Sequence, residues 1–155
     1  MRILYPKITG VVEGWPHFLP ENKIVSIVDD EIDATDSFDD TMCRNIDGIT
    51  VVSFNNAVLA LEHFKDNNEN YALIISDLRM PNLNGLELLK NVKKLSNKVR
   101  TMLISEWEIE TDIVFQHYLQ LGIIDSFIAK PVTNNQLCQK VRDEFLVYQL
   151  AINLK

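Results

Sequence analysis

Five short apolar runs, each followed by a stretch of helical periodicity, constrain this chain more than any other feature. The runs are KIVSIV (Lys23–Val28), TVVSF (Thr50–Phe54), YALIIS (Tyr71–Ser76), RTMLIS (Arg100–Ser105) and SFIA (Ser126–Ala129). They are apolar along their length rather than alternating, which suits strands buried on both faces of a parallel sheet. Between them the period lengthens. Glu31–Ile46 sets Phe38, Met42 and Ile46 four residues apart. Asn55 can cap a helix that carries Ala57, Leu61 and Phe64. Gly85–Leu95 gathers Leu88, Leu89, Val92 and Leu95 on one side. Glu108–Leu121 runs up to Gly122, a natural residue just past a helix end. Asn134 or Asn135 opens a last helix with Leu137, Val141, Phe145 and Tyr148. Strand and helix alternate five times, and right-handed crossovers turn that pattern into an open, doubly wound α/β sheet with helices on both faces.

At 155 residues the chain makes one domain with a short extension. The expected division is an N-terminal extension over 1–22, a main domain over 23–150 and a C-terminal helix end over 151–155. The extension is broken by Gly10, Gly14, Pro16 and Pro20, yet WPHFLP carries Trp15, Phe18 and Leu19. It is either a loose tail or an arm that docks on the domain.

The net charge of −7 disfavours a nucleic-acid partner. The densest basic patch, Lys90 with Lys93 and Lys94, reads as a solvated helix face, and so does the acidic series Glu31, Asp33, Asp36, Asp39, Asp40 and Asp47. Cys43 and Cys138, like His17, His63 and His117, are scattered, so a zinc site is not expected. No run approaches a membrane span of about 20 residues, and the N-terminus lacks a signal-peptide core. The expected location is the cytoplasm.

In doubly wound sheets ligands bind beyond the carboxyl ends of the strands. Just past those ends lie Asp29 and Asp30, then Asp77, then Ser105, then Lys130 with Pro131. If the first strand sits between the second and third, the three aspartates converge. Converging carboxylates repel, and a hard divalent cation resolves the conflict. A metal, an ammonium, a hydroxyl and a carboxylate nucleophile together suit a phosphoryl group.

These residues carry a family likeness. VDDE (Val28–Glu31), SDLRMPNLNG (Ser76–Gly85), Ser105 after the fourth strand and FIAKP (Phe127–Pro131) resemble the motifs of the receiver domain of two-component response regulators. The resemblance covers about residues 23–150 and implies a flavodoxin-like (βα)5 fold with strand order 2-1-3-4-5. It implies phosphorylation of Asp77 by a histidine kinase or phosphotransfer protein. Mg²⁺ or Mn²⁺ would be held by Asp29, Asp30, Asp77 and the backbone carbonyl of Arg79. Lys130 would contact the phosphoryl oxygens, across a cis bond to Pro131. Ser105 and Phe127 would act as the switch pair that repacks the face of the fourth helix, fifth strand and fifth helix. Met80-Pro81 and Gly85 would shape the loop, with Gly85 supplying a conformation closed to other residues.

Two positions depart from that pattern. Glu106 stands where the family carries a small residue, and Trp107 follows it. Both are expected to modulate the site, Glu106 by repelling the phosphoryl group or by taking Lys130 as its partner. The expected role is a stand-alone, non-enzymatic module that works through a downstream protein target. The alternative is a degenerate receiver that binds proteins without phosphorylation. A dehalogenase-type phosphatase would want a second aspartate where Arg79 stands, and a flavin binder would not put the acidic DDEIDAT after its first strand. The last two helices carry more apolar residues than one core stripe needs. A homodimer partner, a target or the N-terminal arm is expected to cover the excess.

Overall fold

The computed structural model describes residues 22–153; residues 1–21 of the N-terminal extension expected over 1–22, and 154–155 of the helix end expected over 151–155, lie outside them. The strands are β1 (Lys23–Val28), β2 (Ile49–Phe54), β3 (Tyr71–Asp77), β4 (Arg100–Glu106) and β5 (Ser126–Lys130), and the helices are α1 (Ile32–Asn45), α2 (Ala57–Asn67), α3 (Gly85–Leu95), α4 (Ile113–Gln120) and α5 (Asn134–Asn153). The five strands are all parallel and ordered β2-β1-β3-β4-β5, as expected. Every residue of β3, the central strand, is buried.

The continuous apolar runs have a direct cause. Successive side chains of a strand point to opposite faces, and here both faces are covered. Ile74 and Leu103 pack with Phe64, Leu88, Val92 and Phe115, contributed by α2, α3 and α4. Their neighbours Leu73, Ile75, Met102 and Ile104 pack on the other face with Met42 of α1 and Leu137 and Val141 of α5. Small hydroxyl side chains such as Ser26 and Thr101 are buried within the strands, but charged residues occur only at the strand ends. At the carboxyl end β3, β4 and β5 each reach one residue past their apolar runs, so Asp77, Glu106 and Lys130 are themselves terminal strand residues.

Two helix starts differ from the sequence reading. The cap of α2 is Asn56, whose side chain accepts from the backbone N–H groups of Val58 and Leu59; Asn55 is engaged elsewhere. The helix expected over Glu108–Leu121 is divided into a 3₁₀ segment, Trp107–Thr111, and α4. Asp112 causes the division. Its Oδ1 accepts from Val114 N at 2.8 Å and Phe115 N at 3.2 Å, so the α-helix must start after it. At the far end Gly122, with φ +73°, ends α4 as expected.

Candidate functional site

The order β2-β1-β3 brings the ends of β1 and β3 together. One carboxylate oxygen from each of Asp29, Asp30 and Asp77 lies within 4.8 Å of the others. Asp29 and Asp77 are buried and Asp30 is exposed. From the end of β5, Lys130 Nζ reaches Asp77 Oδ1 at 2.8 Å. The Lys130–Pro131 bond is cis, as the family likeness implied. Ser105 is buried at the end of β4, opposite Ala129 of β5.

The backbone around these groups is tightly held. Asp29 Oδ1 accepts the Glu31 N–H at 3.0 Å. Asn55 Nδ2 donates to the Asp29 carbonyl at 2.8 Å and to Thr35 Oγ1 at 3.0 Å, and the Thr35 hydroxyl donates to the Ile32 carbonyl. This brace from the tip of β2 replaces the helix-cap role expected for Asn55. Its only signal in the sequence is an asparagine one residue past a strand, and that pattern fits either role.

Gly85 is required for a different reason than expected. Its φ is not positive; positive values occur at Gly48, Gly122 and Asn82. A Cβ at Gly85 would instead collide with the Asp77 carbonyl oxygen and crowd the Leu78 Cα. The Gly85 N–H donates to the Leu78 carbonyl at 2.8 Å. The start of α3 is therefore pressed against the backbone that presents Asp77, and only glycine permits that approach.

The electrostatics follow from crowding. Burial pushes the Asp29 carboxyl above the ordinary carboxylate range; Asp77 and Asp30 push the same way, against the Glu31 N–H and Lys130. For Lys130, burial pulls downward. The hydrogen bond to Asp77 and the charges of Asp77, Asp29 and Glu31 outweigh it and raise the ammonium's pKa. Three carboxylates against one ammonium leave the pocket short of positive charge. An all-oxygen donor set of this kind fits a hard divalent cation.

Phe127 is half-buried, its ring edge-on to Phe115 with centroids 5.1 Å apart. Glu106 is exposed, and the pair partner of Lys130 is Asp77; among the described residues the lysine is not diverted to Glu106. The Trp107 side chain lies outside the described residues. Arg79 is exposed, on the rim of a cleft of about 660 Å³ that Asp30, Met80, Pro81, Ile109 and Val114 also line.

A five-stranded doubly wound sheet with an acid pocket and one lysine at its carboxyl ends defines a receiver-type fold. The sequence profile of the response regulator receiver domain matches residues 25–142. The chain belongs to this family, the receiver domains of two-component signalling. It is 34% identical over 116 residues to the transcriptional regulatory protein CpxR homolog of Haemophilus influenzae, covering 75% of this chain and 47% of that protein. The chain thus spans about half the length of that relative. In fold it is similar to a CheY-like receiver domain protein of Methanospirillum hungatei, with a TM-score of 0.71, 23% identity and coverage of 84% and 98% of the two chains. It is also similar to the response regulator TrrA of Thermotoga maritima, solved in complex with Mg(2+)-BeF, with a TM-score of 0.67, 23% identity and coverage of 79% and 98%.

Proposed function

We propose that this domain takes a phosphoryl group onto Asp77 from a phosphohistidine on a sensor kinase or phosphotransfer protein. The observation that carries the reading is the cluster itself: three carboxylates whose oxygens converge within 4.8 Å, with Lys130 bonded to the one at the tip of β3. An Asp77 oxygen attacks phosphorus, the P–N bond to the imidazole breaks, and the imidazole leaves. Asp29, Asp30, Asp77 and the Arg79 carbonyl would hold Mg²⁺ or Mn²⁺, which supplies positive charge beside the phosphoryl oxygens. The TrrA complex with Mg(2+)-BeF supports that choice by analogy. Lys130 turns its ammonium from Asp77 to a phosphoryl oxygen, and the Ser105 hydroxyl donates to another.

Readout follows from the same geometry. Phe127 packs on Phe115 of α4, so a shift of Ser105 toward the phosphoryl group moves the β4–α4 connection and the Phe127 ring together. Ile113, 85% exposed on α4, then belongs to the surface that a downstream protein target or a second copy meets. We read the domain as a cytoplasmic phospho-acceptor rather than an enzyme, since Asp77 keeps the group it takes. No helix of the described residues is long and apolar enough to cross a membrane.

Mass spectrometry after incubation with acetyl phosphate and Mg²⁺ tests this. One added phosphoryl group is expected on the parent and none on Asp77→Asn or in excess chelator. Labelling that survives Asp77→Asn would overturn the assignment.

A further inference from the structure

The C-terminal half of α5 has two apolar faces. Phe145 and Tyr148 turn inward and pack with Ala72 and Ile49. Leu146 and Leu150, one turn apart, project away from the sheet and are 55% and 54% exposed; Val147 beside them is 40% exposed. One stripe satisfies the core. A second, concentrated in two turns of one helix, marks a contact surface.

That surface lies where the chain enters the fold. Lys23 opens β1 in register with Ile49, and Ile49 packs against the cluster of Phe145 and Tyr148. The Lys23 ammonium reaches the Glu69 carbonyl at 3.5 Å, and the Glu69 charge is felt at Tyr148. The described chain therefore begins, at Asn22 and Lys23, beside the last turns of α5. Fully extended, 21 residues span up to about 70 Å, far more than the ~10–12 Å breadth of a helix.

The composition of the arm calls for burial. Ten of residues 1–21 are apolar or aromatic, Trp15, Phe18 and Leu19 among them. Chains that stay unstructured are poor in such residues. Prolines at positions 6, 16 and 20 suit an extended path rather than a helix. Charge separates this occupant from a second copy. Arg2 and Lys7 balance Glu13 and Glu21, so the arm is neutral, whereas two whole chains would each bring −7.

We propose that residues 1–21 fold back across α5 and cover Leu146, Val147 and Leu150 with Trp15, Phe18 and Leu19. This contact is independent of the chemistry at Asp77. The chain has two tryptophans, so in a Trp107→Phe background the fluorescence of the full chain reports on Trp15 alone. The expected emission is blue-shifted, with acrylamide quenching several-fold weaker than in urea. The double change Leu146→Gln with Leu150→Gln is expected to abolish both signs of burial at unchanged helical circular dichroism. Light scattering is expected to show a monomer whose Trp15 protection does not depend on concentration. Trp15 quenched as freely as in urea, or protected regardless of Leu146 and Leu150, would overturn the proposal. Protection that disappears on dilution would also overturn it and give the stripe to a second copy.

Discussion

Two charge clusters sit at opposite ends of the sheet, and they are built on opposite plans. At the amino end of β4, Asp125 accepts from Lys93 Nζ at 2.7 Å, from Arg100 Nη1 at 3.4 Å and from the Thr101 N–H at 2.9 Å. Arg100 Nε then meets Glu144 of α5 at 2.6 Å. Two cations face two carboxylates, and α3, β4, α5 and the loop before β5 are tied together. At the carboxyl end, Asp29, Asp30 and Asp77 face Lys130 as the one cation paired to them among the described residues. The balanced cluster gains from being intact. The unbalanced one bears repulsion that a bound divalent cation would relieve. Removing a carboxylate should therefore have opposite signs at the two ends.

The largest effect belongs to the balanced end. Asp125→Ala leaves Lys93 and Arg100, both largely buried, without their shared acceptor. Breaking a buried pair by deleting one partner costs about 3–5 kcal/mol. Urea unfolding is expected to show a loss of that size. A midpoint within error of the parent would remove the contrast between the clusters.

The next effect requires the cation. If Mg²⁺ binds the folded state at the acid pocket, a concentration of about 100 Kd stabilises it by about 2.7 kcal/mol. The parent and Asp125→Ala should gain equally. Asp30→Ala should gain little, because it removes an exposed ligand without disturbing the core. Melting temperatures with and without chelator decide this, and an equal gain in Asp30→Ala would move the metal elsewhere.

Without metal, Asp29→Asn should stabilise the domain. The Asp29 carboxyl is held above its ordinary range by burial and by neighbouring acids, so its contribution to stability is present when it is protonated. That contribution is lost as pH rises through the raised value, and at neutral pH the ionised group is unfavourable. The amide keeps an oxygen for the Glu31 N–H and removes the charge. A like charge about 4 Å away costs about 1 kcal/mol even in water, and a gain of that order is expected in chelator. It should fade below the carboxylate range, where Asp29 is protonated in the parent as well.

The same contrast explains what the sequence discloses. The strand runs and the Asp29, Asp30, Asp77, Ser105 and Lys130 set are legible because each group sits at a strand end, and strands announce themselves when both faces are buried. The balanced cluster is not. Lys93 reads as part of a solvated face with Lys90 and Lys94, yet its side chain is only 14% exposed and its partner Asp125 is 32 residues away. Such a pair leaves no local pattern. The brace from Asn55 to Asp29 spans 26 residues and is invisible for the same reason. Asp112 is legible in principle, but a helical period that continues across a cap hides the break.

Glu106 gives the smallest effect and the sharpest use of the comparison. It lies in register with Lys130 across β4 and β5, at the rim of the pocket that is already short of positive charge. Its carboxylate is exposed, so water screens it and its influence should resemble that of a surface pair, about 0.2–1 kcal/mol. Glu106→Gln is therefore expected to raise beryllofluoride affinity in Mg²⁺ by about 1.5- to 5-fold. Salt separates this residue from the buried set. At 1 M ionic strength the screening length falls to about 3 Å, so the gain from Glu106→Gln should vanish while the stabilisation by Asp29→Asn in chelator persists. Titrations at low and high salt test both halves. If the Glu106 effect survives high salt, its carboxylate acts through a direct contact with the bound group or with Lys130 and belongs inside the acid pocket rather than on its rim.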